Sequence, residues 1–139
     1  MNESELQIAV AEYLRLFYPK AIFHSDFGSG VKLTFSQAIK QKKQNGGRRA
    51  WPDLFIAEPV PCCIDGSWKY ESHGLFLELK KEGTRLKKRN GEWASDHIKE
   101  QNEMLERLRF RGYEAEFAVG FEDAKNKIDN YLRRQNDTI

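Results

Sequence analysis

Cysteine is nearly missing from this chain: there are two, Cys62 and Cys63, and they are adjacent. Neighbouring cysteines make a poor disulfide framework, and no second Cys or His cluster supplies the spacing of a zinc site. The pair therefore reads as reduced thiols of an intracellular, cytoplasmic protein. Also missing is any apolar run approaching the roughly 18 residues that a membrane helix needs, so no membrane is expected as a partner. The first residues, Met1-Asn2-Glu3-Ser4-Glu5, lack the basic region and apolar run of a signal peptide. The most informative absence is local. Between Asp26 and Asp53 there is no acidic residue, while Lys32, Lys40, Lys42, Lys43, Arg48 and Arg49 all occur.

What is present suits one globular domain over residues 1–139, with 40% hydrophobic and 32% charged residues. The net charge of +2 is small but unevenly placed. A second basic cluster runs from Lys80 to Arg89, where six of ten residues are basic and only Glu82 opposes them. One such run is commonly a solvated face; two that bracket the same segments favour a polyanion such as nucleic acid. The bracketed segments are Trp51-Pro52-Asp53-Leu54-Phe55-Ile56 and Leu77-Glu78-Leu79-Lys80. Each is apolar and each carries a carboxylate. On a strand, Glu78 and Lys80 point to one face while Leu77 and Leu79 point into the opposite layer. An acid among Leu, Phe and Ile is costly unless something satisfies it.

Helical spacing of Leu6, Val10, Tyr13, Leu14 and Phe17 predicts a helix over 3–18, stopped by Pro19. Glu3 and Gln7 sit on or beside one stripe of it. Ala21–His24 is a short strand candidate, and Phe27-Gly28-Ser29-Gly30-Val31 a turn. Thr34 or Ser36 would cap a helix carrying Phe35, Ala38 and Ile39 that ends near Asn45-Gly46-Gly47. A strand is expected at 53–57, and 58–73 as a loop turning at Asp65-Gly66 or as a hairpin. Leu75–Lys80 reads as a central strand, and 82–95 as a mobile basic loop. A helix starting at Ser95 or Asp96 and ending near Gly112, a strand over 113–119 and a last helix over 121–134 complete the chain. Residues 135–139 are expected as a disordered tail. This order gives a small α/β domain.

Hard cations such as Mg²⁺ or Mn²⁺ prefer carboxylate and carbonyl oxygens. Asp53 and Glu78 would supply two ligands, and the backbone carbonyl of Leu79 a third. Lys80, on the side of Glu78, would position a water or stabilise developing charge. The bland alternative is a cross-strand ion pair.

Pro52-Asp53 followed by Glu78-Leu79-Lys80 resembles the PD-(D/E)xK nuclease signature. More narrowly, the chain is similar to the VRR-NUC family, standalone members of which occur in phages. The likeness rests on an early Glu-containing helix, a basic glycine-containing stretch before Pro-Asp-Leu, and the Glu-x-Lys strand. It continues through the helix with Gln101, Leu105 and Leu108, closing on Gly112-Tyr113. Trp51 departs from the pattern, as does the length of 82–95. The resemblance implies a restriction-endonuclease-like fold with a central mixed sheet flanked by helices. It implies Asp53 and Glu78 as metal ligands, Lys80 as catalytic lysine, Gln101 as the helix glutamine near it, and Glu3, with Glu5 as alternative, as the helix acid. Lys42, Lys43, Arg48, Arg49, Lys81, Arg85, Lys87, Lys88 and Arg89 are candidate DNA contacts. The implied activity is Mg²⁺- or Mn²⁺-dependent hydrolysis of phosphodiester bonds by a homodimer in a bacterial or phage-infected cell. Holliday junctions or other branched DNA are the preferred substrate. The alternatives are a non-catalytic DNA-binding accessory and a linear-duplex nuclease of restriction type.

Overall fold

The computed structural model describes residues 1–26, 33–46 and 50–137, with side chains to Gln135. The expected turn at 27–31, Lys32, and the candidate DNA contacts Arg48 and Arg49 lie outside the described residues.

Four strands form the main sheet: β1 (Phe23–Ser25), β2 (Leu54–Ile56), β5 (Leu75–Lys80) and β6 (Glu114–Val119), in the order β1-β2-β5-β6. β1–β2 and β2–β5 are antiparallel and β5–β6 is parallel, so the sheet is mixed. All six residues of β5 are buried, as its continuous apolar run requires of a strand covered on both faces. Leu75, Leu77 and Leu79 enter one core with Leu6, Val10 and Leu14 of α1 (Glu3–Phe17) and Ala124, Ile128, Tyr131 and Leu132 of α4 (Phe121–Asp137). Phe76 enters the other, with Ile98, Met104, Leu105 and Leu108 of α3 (Asp96–Phe110) and Ala115 and Phe117 of β6. Glu78 and Lys80 share the parity of Phe76 and thus face the α3 layer.

The ends of the helices depart from the pattern of the sequence. Phe17 and Phe110 hold helical spacing with the apolar stripes, yet both are exposed because they are the last residues of α1 and α3, beyond the sheet's cover. α4 continues to Asp137, into the stretch expected as a tail, and Gln135 Nε2 donates to Pro59 O at 2.9 Å.

Residues 58–73 form a hairpin, β3 (Val60–Ile64) and β4 (Ser67–Ser72). Its tip is a two-residue turn with φ of 52° at Asp65 and 78° at Gly66, matching the twist of the strands. Its base is tied to α4: Tyr131 Oη donates to Glu58 O at 2.6 Å and bonds Ser72 Oγ at 3.1 Å. The 82–95 segment also closes on itself. Lys88 N donates to Glu92 O, Ala94 N donates to Leu86 O, and Lys87 bridges to Trp93. Trp93 sits against Phe117 with Lys87 Nζ 4.8 Å above its ring, which makes it a cover over the α3 core.

Among the described residues, no helix is long and apolar enough to cross a membrane.

Candidate functional site

At the end of the sheet where β2 begins and β5 finishes, the ladder runs short of donors. Leu54 pairs with Leu77, and continuing that register sets Pro52, which has no N–H, opposite Leu79. The Asp53 carboxylate serves β5 as an acceptor at this point: Leu79 N donates to Asp53 Oδ2 at 2.8 Å. Asp53 is only 5% exposed. Before it, Ala50 holds a left-handed φ of 62°, and Trp51 packs edge-on against Phe76 at 5.3 Å with its ring half-exposed.

Glu78 lies beside Asp53 at 4% exposure. Gln101, on the inward face of α3, donates from Nε2 to Glu78 Oε1 at 2.8 Å. Lys80 Nζ stands 4.0 Å from the same oxygen. Glu78 Oε2 and Gln101 Oε1 are both buried, with no hydrogen-bond partner among the described residues. Two unsatisfied acceptors in one buried place are uncommon in proteins. Burial and then the charge of Asp53 push the Glu78 carboxyl up to about 9; Lys80 pulls the other way and is outweighed.

These side chains open into a cleft of about 300 Å³, lined also by Glu3, Asp26, Gln41, Asn45, Trp51 and His97. Glu3 is half-buried there, whereas Glu5 closes a capping box with Asn2 at the solvent side of α1. Of the two candidate helix acids, it is thus Glu3 that reaches the cleft. Four carboxylates, Glu3, Asp26, Asp53 and Glu78, line this cleft together with Lys80. Asp26 carried no sequence signal. It follows β1 directly, its N–H donates to Asp53 O, and burial and then the nearness of Asp53 hold its carboxyl above the usual range. Gln7 has no mark in the sequence beyond the stripe it shares with Glu3. Its Nε2 donates to Asp26 O at 2.9 Å and so fixes α1 to this end of the sheet.

A divalent cation fits this donor set. The unpartnered Glu78 Oε2, the adjacent Asp53 carboxylate and the raised Glu78 carboxyl all call for positive charge that Lys80 alone does not supply. Among the described residues, no three His, Cys, Asp or Glu side chains converge closely enough to enclose a metal by themselves. Mg²⁺ does not require that, since it keeps several waters and binds through one or two carboxylates.

The candidate DNA contacts lie elsewhere. Lys81, Arg85, Lys87, Lys88 and Arg89 are exposed along the hairpin that leaves β5, and Lys42 and Lys43 are exposed on α2 (Phe35–Gln44); none of them lines the cleft.

No family model matches the chain, and no curated protein matches it by sequence. Its fold is similar to that of a solved structure described as a VRR_NUC domain protein, with a TM-score of 0.61 at 22% identity. The match covers 96% of this chain and 89% of that one. At that identity the likeness is one of fold, and it agrees with the expected mixed central sheet between helices.

Proposed function

We propose that this chain is a divalent-cation-dependent DNA endonuclease, preferring Holliday junctions or other branched DNA. The observation that carries the reading is the buried cluster of Asp53, Glu78, Lys80 and Gln101, two of whose acceptors lack partners among the described residues. The fold shared with a solved VRR_NUC domain protein supports it in the same direction.

Mg²⁺ or Mn²⁺ would be held by Asp53, Glu78 and the carbonyl of Leu79. When bound it supplies Lewis acidity at the scissile phosphate and charge to offset the cleft's carboxylates. Gln101 fixes the rotamer of Glu78 by its 2.8 Å hydrogen bond, so the ligand is preorganised. Lys80, with three N–H donors, orients the attacking water and stabilises charge building on the phosphoryl oxygens. Water's oxygen forms the new P–O bond and gives up a proton to solvent, the bond to the leaving oxygen breaks, and that oxygen takes up a proton from solvent. Glu3 lines the cleft from α1 and shapes its negative side. A homodimer would bring two such clefts to symmetrical strands of one junction. In a bacterial or phage-infected cell the work belongs to the cytoplasm, where the DNA is.

The test offers the purified protein a four-way junction, a flap and a linear duplex with Mg²⁺, with Mn²⁺ and with EDTA. Cleavage of the junction that is lost in Asp53→Ala and in Lys80→Ala supports the reading. Equal cleavage by those variants rejects the site.

A second reading is a non-catalytic DNA-binding accessory on this fold, with the exposed lysines and arginines after β5 as its contacts. It predicts salt-sensitive binding, no divalent requirement and no product.

A further inference from the structure

Helix α2 is inverted relative to the ordinary rule for a surface helix. Phe35 and Ile39 are its large apolar residues, four apart on one stripe, and they face solvent at 82% and 40% exposure. The opposite stripe, Gln37, Lys40, Gln41, Gln44 and Asn45, faces the body of the protein. None of the helix's residues is buried. Between it and β1 lies an open recess of about 360 Å³, completed by His24, Asp26 and Leu33. Asp26, Gln41 and Asn45 line both this recess and the cleft of Asp53, Glu78 and Lys80, so the two adjoin.

The chemistry of that wall is particular. It is four carboxamides with one ammonium and one imidazole, against a single carboxylate. Carboxamides offer a donor and an acceptor side by side, the pattern that pairs with a base edge. Gln37 Oε1 already accepts from Thr34 N at 3.0 Å, so its NH₂ group is the half presented. A duplex backbone would call for an open basic face, and the basic residues Lys42 and Lys43 project from the other side of this helix. An open recess of this size, with one ammonium rather than a basic face and lying beside a phosphate-cleaving cleft, instead fits one nucleotide taken out of its stack.

We infer that the recess between α2 and β1 receives an unpaired nucleotide flanking the scissile phosphate, with Gln37 and Gln44 at the base edge and Lys40 at its phosphate. The inference rests on the endonuclease reading and deepens it. The cleft acts on the phosphate, while the recess selects DNA whose bases can leave the helix at low cost, as at a branch.

The experiment uses Lys80→Ala protein with Ca²⁺, so that DNA is bound without turnover. The probe is a four-way junction with 2-aminopurine at successive positions around the branch, compared with a linear duplex of the same sequence. Emission rises when this base unstacks. A rise at one position of the junction, lost on adding Gln37→Ala and Gln44→Ala, is the expected result, with a preference for junction over duplex reduced about tenfold. Thermal melting of these exposed-site variants checks that they stay folded. Emission that rises equally with and without the two glutamines overturns the inference, as does no rise in either case. Cleavage by the intact protein is read separately. Turnover without any change in emission rejects the recess alone, and an emission change without turnover rejects the nuclease alone.

Discussion

The backbone amide of Leu79 donates to Asp53 Oδ2 at 2.8 Å, so one carboxylate both closes the sheet beyond Pro52 and faces the cleft. The two roles separate by substitution. Asp53→Asn keeps an oxygen for Leu79 and removes a charge beside Glu78. Asp53→Ala leaves a buried N–H without a partner, a loss of about 1–3 kcal/mol. Urea unfolding without metal is expected to rank Asn above Ala by that margin, with neither variant cleaving DNA. Equal stabilities would mean the hydrogen bond does not hold the strand end.

Metal-free protein should be most vulnerable at alkaline pH. The ordinary value of the Glu78 carboxyl is 4.5, and in the fold it is pushed up to about 9. The folded state holds that proton more tightly than the unfolded chain. The associated stability is therefore complete below pH 4.5 and is lost as pH rises through about 9. In EDTA the melting temperature is expected to fall across this window. Mg²⁺ or Mn²⁺ should restore it, most strongly at the alkaline end. If Glu78→Gln shows the same cation-induced rise, Glu78 is not a ligand.

A different carboxylate should govern acid sensitivity. Burial alone would raise Asp129, but Tyr13 and Tyr18 donate to its Oδ1 at 2.6 and 2.7 Å, and Lys125 and Arg133 lie near. The net effect is a carboxyl held below its ordinary value of 3.8. Its stabilising contribution is present above pH 3.8 and disappears as pH falls through the lower folded value. Acid titration followed by circular dichroism should show Asp129→Asn weaker at neutral pH and less steep in acid. Tyr13→Phe and Tyr18→Phe should each cost about 1.5–3 kcal/mol, the range for hydrogen bonds to charged groups.

The exposed hairpin after β5 makes a prediction about binding alone. If Arg85, Lys88 and Arg89 contact phosphates, replacing each by Gln should flatten the plot of log affinity against log salt by about 0.9 per lost contact. Melting temperatures should stay unchanged, since all three side chains are exposed. An unaltered salt slope would leave the hairpin a solvated loop.

Much of the architecture was legible because period and parity are local. The alternation of Leu77-Glu78-Leu79-Lys80 predicts a buried acid and lysine on one face, which is how they lie. Asp65-Gly66 announces the tight turn of the hairpin by its tolerance of positive φ. Gln101 taken alone reads as a solvent-facing helix residue, and only its contact with Glu78, 23 positions away, makes it a buried one. Asp26 and Gln7 were invisible as site residues for the same reason: their neighbours in space are Asp53 and the start of β2, not anything nearby in the chain. The orientation of α2 defied its pattern, because Phe35 and Ile39 imply an inward apolar stripe and the helix turns the other way.

The β3–β4 hairpin stands between the two halves of the cleft in sequence and away from the cleft in space, its base moored to α4. Opening the backbone at Asp65-Gly66 would part the molecule into a piece bearing Glu3, Asp26 and Asp53 and a piece bearing Glu78, Lys80 and Gln101. Neither fragment would hold the whole cluster of the cleft. Fused to two interacting proteins, they would bring the cluster together only on meeting, which makes this turn the place to divide the chain.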